Sequence, residues 1–326
     1  MRFYLFLLLL APVLLASCNP DPDPGPRIDL VGSTRFLSAS RTSTTPADTF
    51  TTRVFAETQK DTETNLNRLR ITVQYSPTRN PYVYPVTGGY DYKNIPSDAG
   101  ALIYLDTVLA GAQQRSVAFQ FTANTRTTSG RELWTFEAED ANGKLSRRSF
   151  QLTLRNPDSL LTYHRYTLLL PAPTRPGSRS YLALLPGLAL PSHAVRQNPE
   201  NQALIDLAYL PLPNGARALA SPNDPLLMRN NPLFRAGNWT NRVTQLRATG
   251  LDSTSFSTTD TEAELRAAYS NGTLLPNPTR TNPLTTRGAG RVLAFQTADG
   301  KTGLIFIQSL PTAPTAAIRM QVRITK

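Results

Sequence analysis

The chain has 326 residues, 34 Lys and Arg against 23 Asp and Glu, a formal charge of +11 and 40% hydrophobic residues. That is enough apolar material for sizeable cores and excludes a polar disordered tail. The basic charge is dispersed and almost all arginine, with only five lysines, so the clustered basic stripe of a nucleic-acid-binding chain is missing. One cysteine and two histidines exclude an internal disulfide and a closed structural zinc site.

The first elements lie at the N-terminus. Arg2 precedes an apolar run from Phe3 to Leu15, and Leu15-Ala16-Ser17-Cys18 places small residues directly before the single cysteine. The run is about 13 residues, short of the roughly 20 that span a bilayer. It resembles the signal peptide and lipobox of a bacterial lipoprotein, which implies removal of residues 1–17 and a lipid anchor on Cys18. Residues 18–26 are rich in Pro and Asp and read as an extended tether. Asp21 and Asp23 are similar to the acidic export signal of Bacteroidota surface lipoproteins, which implies an outer-membrane lipoprotein with the cell surface favoured over the periplasmic face. About 309 residues then remain, more than one core usually needs, and suggest two domains, 27–155 and 156–326.

Residues 27–155 predict seven strands: Asp29–Leu37, Thr49–Ala56, Leu69–Tyr75, Ala101–Leu109, Ser116–Ala123, Glu132–Glu139 and Leu145–Leu154. Alternation is clear in Arg70-Ile71-Thr72-Val73-Gln74-Tyr75 and in Val117-Ala118-Phe119-Gln120-Phe121. Seven short strands without helical periodicity predict an immunoglobulin-like antiparallel sandwich. Leu133 to Lys144, with the turn dipeptide Asn142-Gly143, and Phe150 to Leu154 resemble the closing hairpin of bacterial Ig-like and cadherin-like domains.

Residues 156–326 predict a mostly β (α+β) domain with one clear helix, so the whole chain is expected to be mainly β. Tyr163–Leu170 and Tyr181–Leu185 read as strands around the loop Pro171–Arg179, while Ala203–Tyr209 fits a strand or a helical turn. Acids follow Thr259-Asp260 and Asn271-Gly272 closes the segment, so Glu262–Tyr269 reads as the helix. Arg291–Gln296 and Thr302–Ile307 flank the turn Asp299-Gly300, and Ile318–Ile324 alternates cleanly. Ala294 to Ile305 resembles the C-terminal hairpin of uncharacterised Bacteroidota surface lipoproteins, which implies location and architecture but no chemistry.

No catalytic constellation emerges. His164 lies in an apolar strand and Ser192-His193 are mere neighbours, with no Gly-x-Ser-x-Gly elbow in the chain. Phosphate-binding and dinucleotide motifs are missing, so no cofactor is expected. Glu132, Glu137, Glu139 and Asp140 share one strand and its turn and read as solvent-facing charges rather than the converging pair a glycosidase needs. Calcium is the alternative use of Asp140 and Asn142, but the ligand set is incomplete and no metal is expected. Asp106-Thr107-Val108, Asp158-Ser159-Leu160 and Asp252-Ser253-Thr254 are similar to a Bacteroidota O-glycosylation pattern.

Exposed aromatics are the remaining chemistry. Tyr82, Tyr84, Tyr90 and Tyr92 cluster in one long loop, and Trp239 sits in a loop-rich stretch expected to face solvent. They are the candidate contact residues for a glycan or another envelope component, on loops held by a scaffold. The expected role is adhesion or ligand capture without catalysis at a membrane reached through Cys18, with no nucleic-acid partner. The alternative is a polysaccharide-processing enzyme or its accessory subunit, which a pocket gathering acids from different strands would favour.

Overall fold

The computed structural model of the protein describes residues 25–59, 64–77, 100–155, 161–234, 239, 242–284, 291–311 and 316–326. The N-terminal half runs β1 (Arg27–Leu30), β2 (Arg41–Ser43), β3 (Thr49–Glu57), β4 (Leu66–Pro77), β5 (Leu102–Val108), β6 (Ser116–Asn124), β7 (Gly130–Asp140) and β8 (Leu145–Leu154). Two sheets form, β1-β3-β6 and β2-β8-β7-β4-β5, antiparallel throughout except where β2 runs parallel to β8 at an edge. The expected strand Asp29–Leu37 ends early at Leu30, and Arg41–Ser43 takes up the second sheet's edge instead.

Side chains alternate across each pleat, so Trp134, Phe136 and Ala138 of β7 turn inward and are buried. Trp134 stands at the centre of an aromatic cluster, 5.1 Å from Phe50, 5.4 Å from Tyr104 and 5.7 Å from Phe121 between ring centroids. Burying a side chain of the size of Phe contributes about 1.5–3 kcal/mol relative to exposure. At the Asn142-Gly143 turn, Gly143 takes φ +79°, a conformation open to glycine at no steric cost.

The C-terminal half runs β9 (Tyr163–Leu170), β10 (Tyr181–Ala183), β11 (Leu188–Leu190), α1 (Ser192–Arg196), α2 (Pro199–Gln202), β12 (Leu207–Pro211), β13 (Arg217–Ala220) and α3 (Pro225–Asn230). It continues through β14 (Gln245–Ala248), α4 (Ser253–Thr258), α5 (Glu262–Ser270), β15 (Thr273–Leu274), β16 (Val292–Gln296), β17 (Thr302–Ser309) and β18 (Ile318–Thr325). A six-stranded sheet, β15-β14-β16-β17-β18-β9, faces a four-stranded one, β11-β10-β12-β13. Leu182, Leu207 and Leu219 of the small sheet meet Phe295, Ile305 and Val322 of the large one. Helices α1 and α3 cover the small sheet's far side, where Ala194, Val195 and Leu227 bury Tyr181 and Leu210. Helices α4 and α5 cover the large sheet's, with Phe256 and Leu265 on Val292 and Leu304.

The chain is therefore mainly β with several antiparallel sheets, and α5 alone among the described helices reaches seven residues. Its cap is Thr261, one residue beyond Asp260: the Thr261 hydroxyl accepts from the Glu264 amide at 3.2 Å, and Glu264 accepts from the Thr261 amide at 2.9 Å. Ala203–Tyr209 resolves in favour of the strand, with β12 following the turn of α2.

The two halves meet at the β10–β11 hairpin. Asn124, at the end of β6, donates from Nδ2 to the Gly187 carbonyl at 2.5 Å and accepts at Oδ1 from the Ala189 amide at 3.0 Å. Beside it the Thr127 amide donates to the Pro186 carbonyl at 2.9 Å, and the Thr127 hydroxyl donates to the Leu185 carbonyl at 2.8 Å. Gly187 has φ +64°, and an added Cβ would stand 2.3 Å from the Thr127 methyl, so only glycine fits this approach. From the other side Tyr166 donates to the Leu184 carbonyl at 2.5 Å. Ala183 and Leu188 of the hairpin complete the N-terminal core. Asn124→Ala leaves a buried carbonyl and a buried amide unmet, and is expected to lower the unfolding free energy by about 2–4 kcal/mol; urea denaturation of the full-length protein measures it.

Candidate ligand-binding site

A cleft of about 630 Å³ lies over the small sheet between the loop Pro173–Ser178, α1 and α3. Its floor includes Tyr181 and Tyr209, and its rim carries Arg175, Arg196, Asn230 and Asn231. The loop is held in shape, since the Arg175 amide donates to the Ser178 hydroxyl at 3.2 Å and the Ser192 hydroxyl donates to the Pro176 carbonyl at 3.1 Å. Asn231 donates to the Tyr181 hydroxyl at 3.0 Å, which fixes the floor against the helix end. Helix α3 is itself set by Asp224, which accepts from the Leu226 and Leu227 amides and takes Arg280 at 3.1 Å. Arg175 and Arg196 are exposed and pair with no carboxylate among the described residues. No Asp or Glu lines this cleft among the described residues, so the cleft is positive and its guanidinium and amide groups suit a polar, acidic ligand; the Tyr181 and Tyr209 rings themselves are buried in the cores beneath it.

The predicted site residues fall elsewhere. Cys18, Tyr82, Tyr84, Tyr90 and Tyr92 lie outside the described residues, as does Asp158-Ser159-Leu160. Trp239, expected to face solvent, is only 7% exposed and packs 4.4 Å from Phe234 in the cluster that backs the small sheet. Its large apolar surface is worth more in that core than on a loop, so it is not a surface stacking platform. His164 is buried in β9. His193 lies edge-on to Tyr104 and Phe119 at 5.4 and 5.9 Å, burial pulls its pKa down, and the neighbouring Ser192 hydroxyl is committed to Pro176. No nucleophile and base meet there.

Glu132 corrects the reading of solvent-facing strand charges. Alternation turns it inward with Trp134, and it is 1% exposed. Its carboxylate accepts from Trp134 Nε1 at 3.2 Å and the Arg126 amide at 3.1 Å, with Arg126 Nε at 3.8 Å. Burial pushes the Glu132 carboxyl up and the Arg126 guanidinium down, so desolvation outweighs their attraction. The adjoining void is about 10 Å³, too small for a ligand, and the pair shapes the turn that presents Thr127 to the hairpin. Asp140 is also buried, and its Oδ1 accepts from the Asn142 and Lys144 amides at 2.9 Å each, so it stabilises the turn. Asp106 pairs with Arg68, and Asp252 caps α4. Those acids have structural work within the fold.

The arginines and tyrosines of the cleft carry no motif in the sequence. The segment Pro171–Arg179 is legible as a loop, but nothing in its composition marks Arg175 as facing Arg196 across a cavity.

No protein-family model matches the chain, and comparison with curated proteins gives no match. Among solved structures it is similar to a DUF4466 family protein from Parabacteroides merdae, at 11% identity and a TM-score of 0.32, over 94% of this chain and 100% of that one. It is also similar to the sporulation control protein Spo0M from Bacillus subtilis, at 10% identity and a TM-score of 0.24, over 60% of this chain and 78% of that one. A cycloalternan-degrading enzyme from Trueperella pyogenes aligns at 11% identity and a TM-score of 0.16, over 87% of this chain and 32% of that one. At these scores the likenesses carry nothing about chemistry.

One buried acid near the small sheet gives the protein a pH signature. Asp206 is pushed up from 3.8 to about 6 by burial, against the opposing pull of the Leu184 amide and of Arg242 at 3.2 Å, whose charge Asp299 shares. Its contribution to stability is therefore complete below about pH 4 and is lost as pH rises through about 6, a change of about 3 kcal/mol. Unfolding titrations of the parent and Asp206→Asn should differ by that step across this window, because asparagine keeps an acceptor for Leu184 and does not ionise.

Proposed function

We propose that the protein is a lipid-anchored envelope protein of the outer membrane, carried on Cys18, that captures a saccharide-sized polar ligand in the cleft over the small sheet without transforming it. The observation that supports this reading is the cleft itself: about 630 Å³, floored by Tyr181 and Tyr209 and rimmed by Arg175 and Arg196. The volume lies within the roughly 300–1,000 Å³ of small-ligand sites, and arginine and asparagine donors match hydroxyl and acidic groups on a sugar. A hydrolase acting there would need two carboxylates flanking the bond, and the described lining supplies neither. The order β1-β3-β6 against β2-β8-β7-β4-β5 supports an Ig-like identity for the N-terminal sandwich, which would hold the cleft away from the membrane beyond the 18–26 tether.

Two measurements test this. Thermal shift of the detergent-solubilised full-length protein against neutral and acidic oligosaccharides should give saturable stabilisation, about 2.7 kcal/mol at a hundredfold excess over Kd. Arg175→Ala and Arg196→Ala should each weaken that binding about tenfold or more, near 1.4 kcal/mol, with little change in stability because both side chains are exposed. No shift across the panel contradicts saccharide capture. For the anchor, Cys18→Ser should move the protein from the membrane to the soluble fraction on cell fractionation; unchanged membrane association contradicts lipidation there.

A further inference from the structure

A second site lies where the halves meet. The loop from Thr45 to Thr49 approaches β9 and β18 there, and a cavity of about 310 Å³ opens with Arg179, Arg319 and Asp48 as its charged lining. Asp48 is already committed: Oδ2 takes Arg41 at 3.0 Å, and Oδ1 accepts from the Thr49 amide at 2.8 Å. The two arginines are not. Arg319 is exposed, and neither Arg179 nor Arg319 pairs with a carboxylate among the described residues.

Arg179 is the more telling of the two. It is half-buried, and its bond to protein is a long one, Nη1 to the Asn124 Oδ1 at 3.4 Å, an oxygen that already accepts from the Ala189 amide. A guanidinium offers five N–H donors in a planar fork, so most of this fork has no protein acceptor among the described residues. Burial pushes the Arg179 guanidinium below its ordinary value, with no described carboxylate to offset it. A neighbouring cavity of about 400 Å³, sharing Thr45, Pro46 and Thr167, adds Arg165 and Arg323, which stand directly opposite each other in the β9–β18 register. Arg323 is held by Asp260 at 3.0 Å and the Ser257 carbonyl at 3.2 Å, so its charge is met within the fold. The loop that closes the cavity is strained as well: Ala47 is buried at φ +56°, a conformation that costs a non-glycine residue energy and persists where its surroundings hold it.

We propose that this junction cavity binds an oxyanion, a carboxylate or sulfate group, between Arg179 and Arg319. Both guanidinium groups suit bidentate recognition of such a group. An anion seated there would also brace Asn124, the side chain that joins the halves, so occupancy should stabilise the whole protein.

The test is isothermal titration of the full-length protein in detergent with sodium glucuronate and with sodium sulfate, each against sodium chloride at equal ionic strength. The expected result is saturable binding of at least one oxyanion, weakened at least tenfold by Arg319→Gln and by Arg179→Gln. Arg319→Gln changes an exposed side chain and decides the matter even if Arg179→Gln does not fold. Preference for glucuronate identifies a carboxylate ligand, and preference for sulfate a sulfated one. The titrations are repeated in a background carrying Arg175→Ala and Arg196→Ala, which removes acid recognition at the cleft over the small sheet, and the junction binding should persist there. In that background, binding no stronger than chloride, or binding that survives Arg319→Gln, overturns the proposal.

Discussion

The structure depends on the seating of one hairpin. Leu184 to Ala189 is gripped by Tyr166 from its own half and by Asn124 and Thr127 from the other, through backbone groups that would otherwise be buried without partners. Leaving such groups unmet costs about 1–3 kcal/mol each, so the halves cannot separate without a large penalty or the entry of water. The grip in turn rests on Glu132 and Arg126, a buried pair whose value lies in the shape it gives the turn at Thr127 rather than in its net energy.

That seating places both cavities. The hairpin strands belong to the small sheet, whose far side carries the large cleft, and its approach to the Thr45–Thr49 loop leaves the junction cavity beside Asn124. The aromatic core around Trp134 and the two-sided burial of the small sheet supply a rigid frame. Loops held on such a frame are where binding groups concentrate, and the arginines of both cavities sit on or beside loops.

How much of this is legible in the sequence follows from burial. Strands β4, β6 and β7 have one face in the core and one outside it, so Ile71-Thr72-Val73 and Trp134-Thr135-Phe136 alternate and are readable. The small sheet is not. Its strands are buried on both faces, so Leu188-Ala189-Leu190 and Arg217-Ala218-Leu219-Ala220 show no period. Helices α1 to α3 are four to six residues long, below the length at which periodicity registers. Glu132 misleads because a charged residue in an alternating strand suggests the outer face, whereas its partner Arg126 arrives from a turn. The candidate clefts are illegible for a related reason: Arg175 and Arg196, or Arg179 and Arg319, are brought together by strand order, which no local pattern encodes.

The account stands on the claim that the two halves open only as one unit. Native-state hydrogen exchange tests it at the amides of Thr127 and Ala189, with Phe136 of β7 and Ile305 of β17 as reporters of each core. The account predicts that all four exchange through the same global opening, with equal free energies and equal denaturant dependence. Exchange of Thr127 and Ala189 through a distinctly lower-energy opening, while both cores stay protected, would contradict it and make the junction a hinge.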